Sequence, residues 1–507
     1  MRDHKPIKLD QFNGLFQRGD VEEVPIDHFS DCENIQFIGT SSFESRFGLD
    51  IHQNVVTPLG QIRRIYNYVT PTANTLLVLI TDLADSNKGK IYHAVNATTV
   101  YGPILTVNTM TDFAFVAYAG RAYISPFKSY TFGDLNIEKG IQSEFLYVYR
   151  GDGTAATKAA GAAPVGTLSI ANGAAGHTDA GKKLFGVVYE RDTGHLSAPA
   201  AFAQFTTGAA LSVSFSTVPV SPDSSVTKRH IVSTINLVDP FNGNFEGYEY
   251  FFIPNGTISD NITTTLSNVS FYDADLIEDA SYLFDNYAEI PAGAVLTFYN
   301  NRLVLGATYT DISLMLVSTA GEPEAISQID GLLVFPLDGN PITNAQELKD
   351  ILYVTKRNRT GAFVDNGEAP STWDFSVIDQ AIGAPVHGIA TVIDSGSSTV
   401  DFLIVASYKG IVIFNGVYQA PELTWKIRDF WNLQDRDEFR KIQMVNDPID
   451  QILYCALPDG RLLIGDYKNG MDAKNIRWAP WAFDINVDTI ALVNINTLII
   501  GSYGRRT

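Results

Sequence analysis

The sequence predicts an all-β fold, a β-propeller of about six to seven four-stranded blades interrupted by a small β-sandwich. Three observations carry this reading. The first is a repeat between Ile342 and Phe483. One unit reads ILYVTKRN, TGAFVDN, STWDFSVI; the next DFLIVASYKG, GIVIFNGVY, ELTWKIRDF; the third DQILYCALPDG, RLLIGDY, NIRWAPWAF. The turn glycines Gly361, Gly410 and Gly460 are spaced 49 and 50 residues apart, and Trp373, Trp425 and Trp478 are spaced 52 and 53 apart. The chain holds only 5 Trp, so three in step mark a repeat, and about 50 residues of short strands is the length of a propeller blade. The second observation is composition: 30 Phe and 23 Tyr suit strands, and 40 Gly suit many tight turns. The third is that RLLIGDY and GIVIFNG are apolar at nearly every position, as strands covered on both faces must be. A single blade cannot cover both faces, so blades must stack around an axis. An evenly spaced β-sandwich is the competing architecture, and the agreement of the two rulers favours the propeller.

The chain in order begins with an irregular stretch to about residue 58, containing one hairpin-like piece, ENIQFIG and SSFESRFGLDI. Blade strands follow in IRRIYNYV, TLLVLITD, KIYHAV and VYGPIL, with a turn-rich DSNKGK between the second and third. DFAFVAYAG and RAYISPF start a second blade, turning at Ala119 and Gly120. These make residues 1–149 an arm plus the first blades. At Arg150 the composition changes to GDGTAATKAAGAAPVGTLSIANGAAGHTDAGKK, read as a flexible entrance with one edge strand. Five strands come next, LFGVVYERD, LSVSFSTV, KRHIVSTIN, YEYFFIPN and VSFYDADL, without a Trp repeat. That spacing predicts an inserted sandwich over 150–275. Residues 276–507 return to the propeller: a linker to Pro291, VLTFYNNRLVLGATY, the repeats, and a final half-blade in DTIALVNINTLIIGSYGRRT. The N-terminal hairpin is expected to complete that half-blade and close the ring, leaving no open edge.

Charge and chemistry narrow the function. The formal net charge is −20, from 56 acidic and 36 basic residues. Such a surface does not bind nucleic-acid backbones generally, although it would let them slide past. The N-terminal MRDHKPIKLDQFNG has no apolar core segment, so no signal peptide is expected, and no run is long enough to span a membrane. Cys32 and Cys455 read as free thiols, and the sequons at Asn96, Asn255, Asn261, Asn268 and Asn358 as chance. His28, His52, His93, His177, His195, His230 and His387 are scattered, with no metal spacing. GDGT lacks the lysine of a phosphate loop, and there is no G-x-S-x-G elbow. Asp374, Asp429, Asp435, Asp437 and Glu438 read as solvated acidic loops rather than a glycosidase pair or a Ca²⁺ loop. The repeated Trp residues read as wedges between blades rather than a sugar platform. The expectation is no enzyme, no catalytic residue, no cofactor and no metal.

Several phrases resemble a known family. Phe12-Asn13-Gly14, Pro25, Asn34 and Arg46-Phe47-Gly48 resemble the "F-x-G-G-L-N…P…N…R-x-G" opening of many tailed-bacteriophage virion proteins, with Asn13 replacing one glycine. Asn301-Arg302-Leu303, followed by Ser318 to Glu324, resembles a second phrase, "N-R-L" then "S-x-x-G-x-P-E". Within the insertion, Tyr189, Gly194 to Pro199, Lys228 to Ile231, Tyr250-Phe251 and Tyr272-Asp273 resemble the fibronectin-III/immunoglobulin-like domain inserted in those proteins, although RHIVS replaces the usual "R-I-Y-R". The chain is similar in this way to propeller-type tail proteins of short-tailed phages, including tail nozzles. The resemblance implies a virion structural protein in the tail. It further implies a homo-oligomeric ring of six copies, neighbouring tail, adaptor or fibre proteins as partners, and genomic DNA passing through the channel during ejection. Lumen-facing loops are then expected to carry more Asp and Glu than Lys and Arg. The alternative is a carbohydrate-binding or glycoside-hydrolysing propeller.

Overall fold

The computed structural model describes residues 12–18, 24–25, 27–38, 42–46, 48–49, 60–70, 73–85, 87–96, 98–132, 135–239, 241–286, 289–393, 400–494 and 497–502. A hairpin of β1 (Ile35–Ile38) and β2 (Ser42–Ser45) precedes blade one: β3 (Gly60–Val69), β4 (Asn74–Asp82), β5 (Lys88–Ala94) and β6 (Val100–Val107). Blade two holds β7 (Asp112–Tyr118), β8 (Arg121–Phe132), β9 (Leu135–Gly140), β10 (Tyr147–Tyr149) and β11 (Thr157–Lys158). The inserted unit follows as β12 (Ser169–Thr178), β13 (Gly181–Arg191), β14 (Ala200–Thr207), β15 (Leu211–Ser216), β16 (Val226–Ser233), β17 (Phe251–Ile258) and β18 (Leu266–Val269). Blade three is β19 (Gly293–Tyr299), β20 (Arg302–Thr308), β21 (Leu314–Thr319) and β22 (Glu322–Leu333). Blade four is β23 (Ile342–Leu348), β24 (Ile351–Lys356), β25 (Thr360–Phe363) and β26 (Phe375–Asp379). Blade five is β27 (Ile389–Ile393), β28 (Val400–Ser407) and β29 (Gly410–Phe414), followed by the helix α1 (Arg428–Asn432). Blade six is β30 (Gln443–Asp447), β31 (Ile452–Ala456), β32 (Leu462–Asp466) and β33 (Arg477–Trp481), and blade seven is β34 (Thr489–Val493) with β35 (Thr497–Gly501). Every pairing within these sheets is antiparallel.

The sheets form a closed β-propeller, and the apolar clusters show why. Alternation along a strand sends successive side chains to opposite faces. In β4, Leu77 and Leu79 pack toward blade two, while Leu76, Val78 and Ile80 pack toward Ala491, Val493 and Ile499 of blade seven. In β28, Leu403 and Val405 meet blade four, and Ile404 and Ala406 meet blade six. In β31, Leu453 and Cys455 face blade five, and Ile452, Tyr454 and Ala456 face blade seven. One cluster spans blades two, three and four. Each sheet therefore buries both faces against its two neighbours, as the uniformly apolar runs require. Each buried Leu or Ile contributes roughly 1.5–3 kcal/mol, which the isolated blade would forfeit.

Three sequence expectations need correction. The N-terminal hairpin does not complete blade seven: among the described residues β1 and β2 pair only with each other, as do β34 and β35. The arm instead caps the free edge of β33. Leu15 and Asn34 donate their amides to the carbonyls of Trp478 and Pro480, each at 2.9 Å, and Trp481 Nε1 donates to the Ile35 carbonyl at 2.6 Å. That edge has unpaired carbonyls and two Trp rings, and the arm satisfies both. Second, the Trp residues do not share one position. Trp478 lies on β33, fully buried, but Trp373 ends a 3₁₀ turn and Trp425 lies in the 3₁₀ segment Leu423–Ile427 that leads into α1. Trp425 is half-buried beneath Arg18 of the arm, 3.9 Å from its guanidinium carbon, and the wedge beside blade five is Trp431. Third, β10 and β11 belong to blade two, so the insertion begins later than Arg150. It also ends later than residue 275, because Ala280, Leu283 and Phe284 pack into its core. That unit is two sheets, ordered β12-β15-β18 and β14-β13-β16-β17, where the sequence suggested five strands and an edge.

Candidate functional site

The inner strands line an axial tunnel, and side chains from five blades meet across it. Arg64, from β3, presents Nη2 to Asp112 Oδ2 at 2.6 Å and Nε to both carboxylate oxygens at 3.0 and 3.2 Å. Asp112 opens β7 and also accepts from His387 Nε2 at 2.8 Å, just ahead of β27. Arg64 Nη1 donates to Gln443 Oε1 of β30 at 3.0 Å, and Gln443 Nε2 donates to the Ile490 carbonyl of β34 at 2.7 Å. Tyr66 Oη donates to the Phe113 carbonyl at 2.9 Å and lies 3.2 Å from His387 Nδ1. Blades one, two, five, six and seven are thus tied through one buried network.

Electrostatics hold this network in a fixed protonation state. Burial alone would raise the Asp112 carboxyl, but the charges and hydrogen bonds of Arg64 and His387 outweigh it and bring it down to about 2. Burial and the neighbouring Arg64 charge depress His387, so near neutral pH it is an uncharged donor to Asp112. Burial and the Asp112 charge push the Tyr66 phenol well up. The network spans the tunnel as a plug. It divides the tunnel. On one side is a mouth of about 250 Å³ lined by Arg63, Arg440, Lys441, Glu138 and Asp488. On the other is a chamber of about 460 Å³ along Phe115, Leu296, Ala345 and Met444.

A second cluster joins the insertion to the propeller. Arg191, ending β13, lies 2.9 Å from Asp223 within its own unit and 3.2 Å from Glu324 of β22. Glu324 Oε2 also accepts the Ala160 amide at 2.6 Å. Asp192 meets Arg121 of β8 at 3.0 Å and also pairs with Arg150. His195 is buried beside this cluster with neither ring nitrogen hydrogen-bonded, and burial lowers it to about 4. Glu324 and His195 come from two separate phrases singled out in the sequence, and here they meet. Gly14, from the opening phrase, has φ +82°, and a Cβ there would stand 2.8 Å from Trp478 N and 2.9 Å from its carbonyl oxygen. The phrase therefore needs glycine where the arm docks.

Of the acidic sequence candidates read as loops, Asp429 lies in α1 and Asp435, Asp437 and Glu438 lie in or beside a 3₁₀ turn. Asp435 caps a 3₁₀ turn by accepting from the Asp437 amide, and Glu438 pairs with Arg440 and Lys441. Asp374 and Asp429 are exposed. Among the described residues no group of three or more His, Cys, Asp or Glu is placed to hold a metal, and no helix is long and apolar enough to cross a membrane. His52 lies outside the described residues. Cys32 and Cys455 are free thiols. The axial plug was not foreseen, because each of its members is unremarkable in its own stretch of sequence.

No protein-family model matches the chain, and no curated protein does. Solved structures with similarity include Kluyveromyces lactis Hsv2 at 10% identity and TM-score 0.29, covering 83% of this chain and 97% of that one. Apo AztD from Citrobacter koseri has 10% identity and TM-score 0.32, covering 83% and 88%. The Cps50 (Swd1) beta-propeller domain of Myceliophteria thermophila has 8% identity and TM-score 0.29, covering 80% and 96%. Scores this low carry no functional inference.

Proposed function

We propose that the protein is a non-enzymatic structural component of a bacteriophage tail, a nozzle or another ring around the DNA exit channel. The observation that carries this reading is the use made of the family-like phrases. Gly14 seats the arm on β33, and Glu324 ties the insertion to blade three through Arg191 and Ala160. Two residues of the phage-like phrases are thus joints within the chain, which is what a structural family would retain. The inserted unit is read as fibronectin-III/immunoglobulin-like. The sheet order β14-β13-β16-β17 and the neighbours β12-β15 fit the C-F-G and B-E arrangement of that sandwich, while β18 takes the place of strand D and no strand lies on the outer side of β12 among the described residues.

In this role the copies repeat about the tail axis through heterologous contacts that close, in six copies as the resemblance implies. DNA runs along the lumen between copies, because the plug of Arg64, Asp112, His387 and Gln443 bars each propeller's own axis. Neighbouring tail, adaptor or fibre proteins are the remaining partners, and the virion tail is the location. The mouth of the propeller, with Arg63, Arg440 and Lys441 beside Glu138 and Asp488, is not that lumen. Electron microscopy of purified particles and of recombinant protein tests the proposal. A closed ring or a tail-tip density, with more carboxylates than cations facing its lumen, is expected. A protein that stays monomeric in the particle, or that binds or hydrolyses polysaccharide as its main activity, would overturn it.

A further inference from the structure

The inserted unit carries a groove that the ring proposal does not use. It has a volume of about 660 Å³. β17 is an edge strand, and its pairing with β16 jumps from His230↔Thr257 to Val232↔Phe252. Ile253 to Gly256 therefore bulge out opposite the single residue Ile231. Bulges of this kind re-aim side chains and interrupt pairing beside functional surfaces. The opposite wall is the segment from Asp275 to Glu278, held in place by the Phe252 amide donating to the Glu278 carbonyl at 2.9 Å. The apolar part of its lining is Leu196, Phe252 and Pro254, each half-buried, while Ile231 and Ile253 behind them face the interior of the sandwich.

The rim is both acidic and apolar. Ile277 is 85% exposed, a large aliphatic side chain with little cover. Asp275 and Glu278 flank it, and Glu190 faces them across the groove. Glu190 is held by Lys228 at 2.6 Å and His230 Nε2 at 2.7 Å, and His230 in turn touches Thr257 at 3.0 Å. Glu190 is thus fixed; Asp275 Oδ2 accepts the Tyr272 amide at 2.8 Å, and neither Asp275 nor Glu278 is ion-paired with a cation among the described residues. Gly194, Leu196 and His230 of this groove come from the phrases picked out in the sequence, yet neither the propeller core nor the joint explains their grouping.

We infer that this groove docks an extended segment of a partner protein that alternates basic and apolar residues. The apolar lining and Ile277 take the aliphatic side chains, the two unpaired carboxylates take Lys or Arg, and the bulged edge of β17 offers backbone groups to an extended chain. Nucleic acid is disfavoured by the same carboxylates. This inference stands apart from the ring proposal.

The test is binding of a synthetic peptide alternating Lys and Val to the full chain, by fluorescence anisotropy, with Ser/Val and Glu/Val peptides for comparison. Ile277→Asp, Glu278→Lys and, at a distant exposed site, Asp374→Lys are measured beside the wild type. The Lys/Val peptide is expected to bind, more weakly as salt rises. Ile277→Asp and Glu278→Lys should each weaken it about tenfold, the first despite its added negative charge, and Asp374→Lys should leave it unchanged. Equal or tighter binding by Ile277→Asp would reduce the effect to general acidity and overturn the proposal. So would equal binding of the Ser/Val peptide, or self-association of the chain that Ile277→Asp abolishes, which would make the occupant a second copy.

Discussion

Replacing Asp112 by Asn probes the axial plug directly. The side chain keeps its shape but loses its charge. Arg64 then remains buried with its Nε and Nη2 aimed at an amide that can accept on only one side, and His387 loses its anionic acceptor. Removing one member of a buried ion pair typically costs about 3–5 kcal/mol, because the other charge is left without compensation. A unit of this size has an unfolding entropy on the order of 0.8 kcal/mol/K, so its melting temperature should fall by roughly 4–6 °C. The assay is calorimetry of the isolated protein, with near-ultraviolet circular dichroism reporting the propeller aromatics. The double variant Arg64→Met with Asp112→Leu should recover at least half of the loss, since it removes both charges from the tunnel. An Asp112→Asn protein melting within about 1 °C of the wild type would refute the reasoning, because the pair would then contribute no more than an exposed one.

Two further outcomes are expected. Gly14→Ala forces a side chain against the Trp478 backbone at positive φ, so about 1–3 kcal/mol of arm docking is lost, and limited proteolysis should cleave the arm while sparing the blades. Lowering the pH should destabilise the chain in two windows. His195 has a folded value of about 4 against an ordinary 6.5, so the unfolded chain takes up the proton first and about 3 kcal/mol is lost as pH falls from 6.5 to 4; Asp112 then adds its loss from about 3.8 down to 2. Burial also lowers His28, His93 and His387, so His195→Leu should make the first window shallower in a pH series of denaturant melts, and an unchanged slope would exclude a contribution from His195.

The blades were legible because their signals are local. IRRIYNYV and TLLVLITD are short runs rich in β-branched, aromatic and aliphatic residues that specify β3 and β4 without any knowledge of the partner sheet, and the roughly 50-residue spacing of glycines implies stacking. Where the reading failed, a different local signal was present and overlooked: Leu423, Ile427, Phe430 and Trp431 recur at helical spacing, so ELTWKIRDF forms a 3₁₀ turn and α1 rather than a strand. Other features had no local signal at all. Arg64 and Gln443 are 379 residues apart, and Asp112 and His387 are 275 apart. Their meeting depends on seven sheets closing into a ring, and the same closure decides that the arm caps β33 instead of completing blade seven. Strand identity follows from which face of a short segment is apolar, a property of neighbours in sequence. The plug, the joint at Glu324 and the groove beside Ile277 depend on which polar groups a closed packing leaves facing one another, and only the assembled tertiary structure settles that.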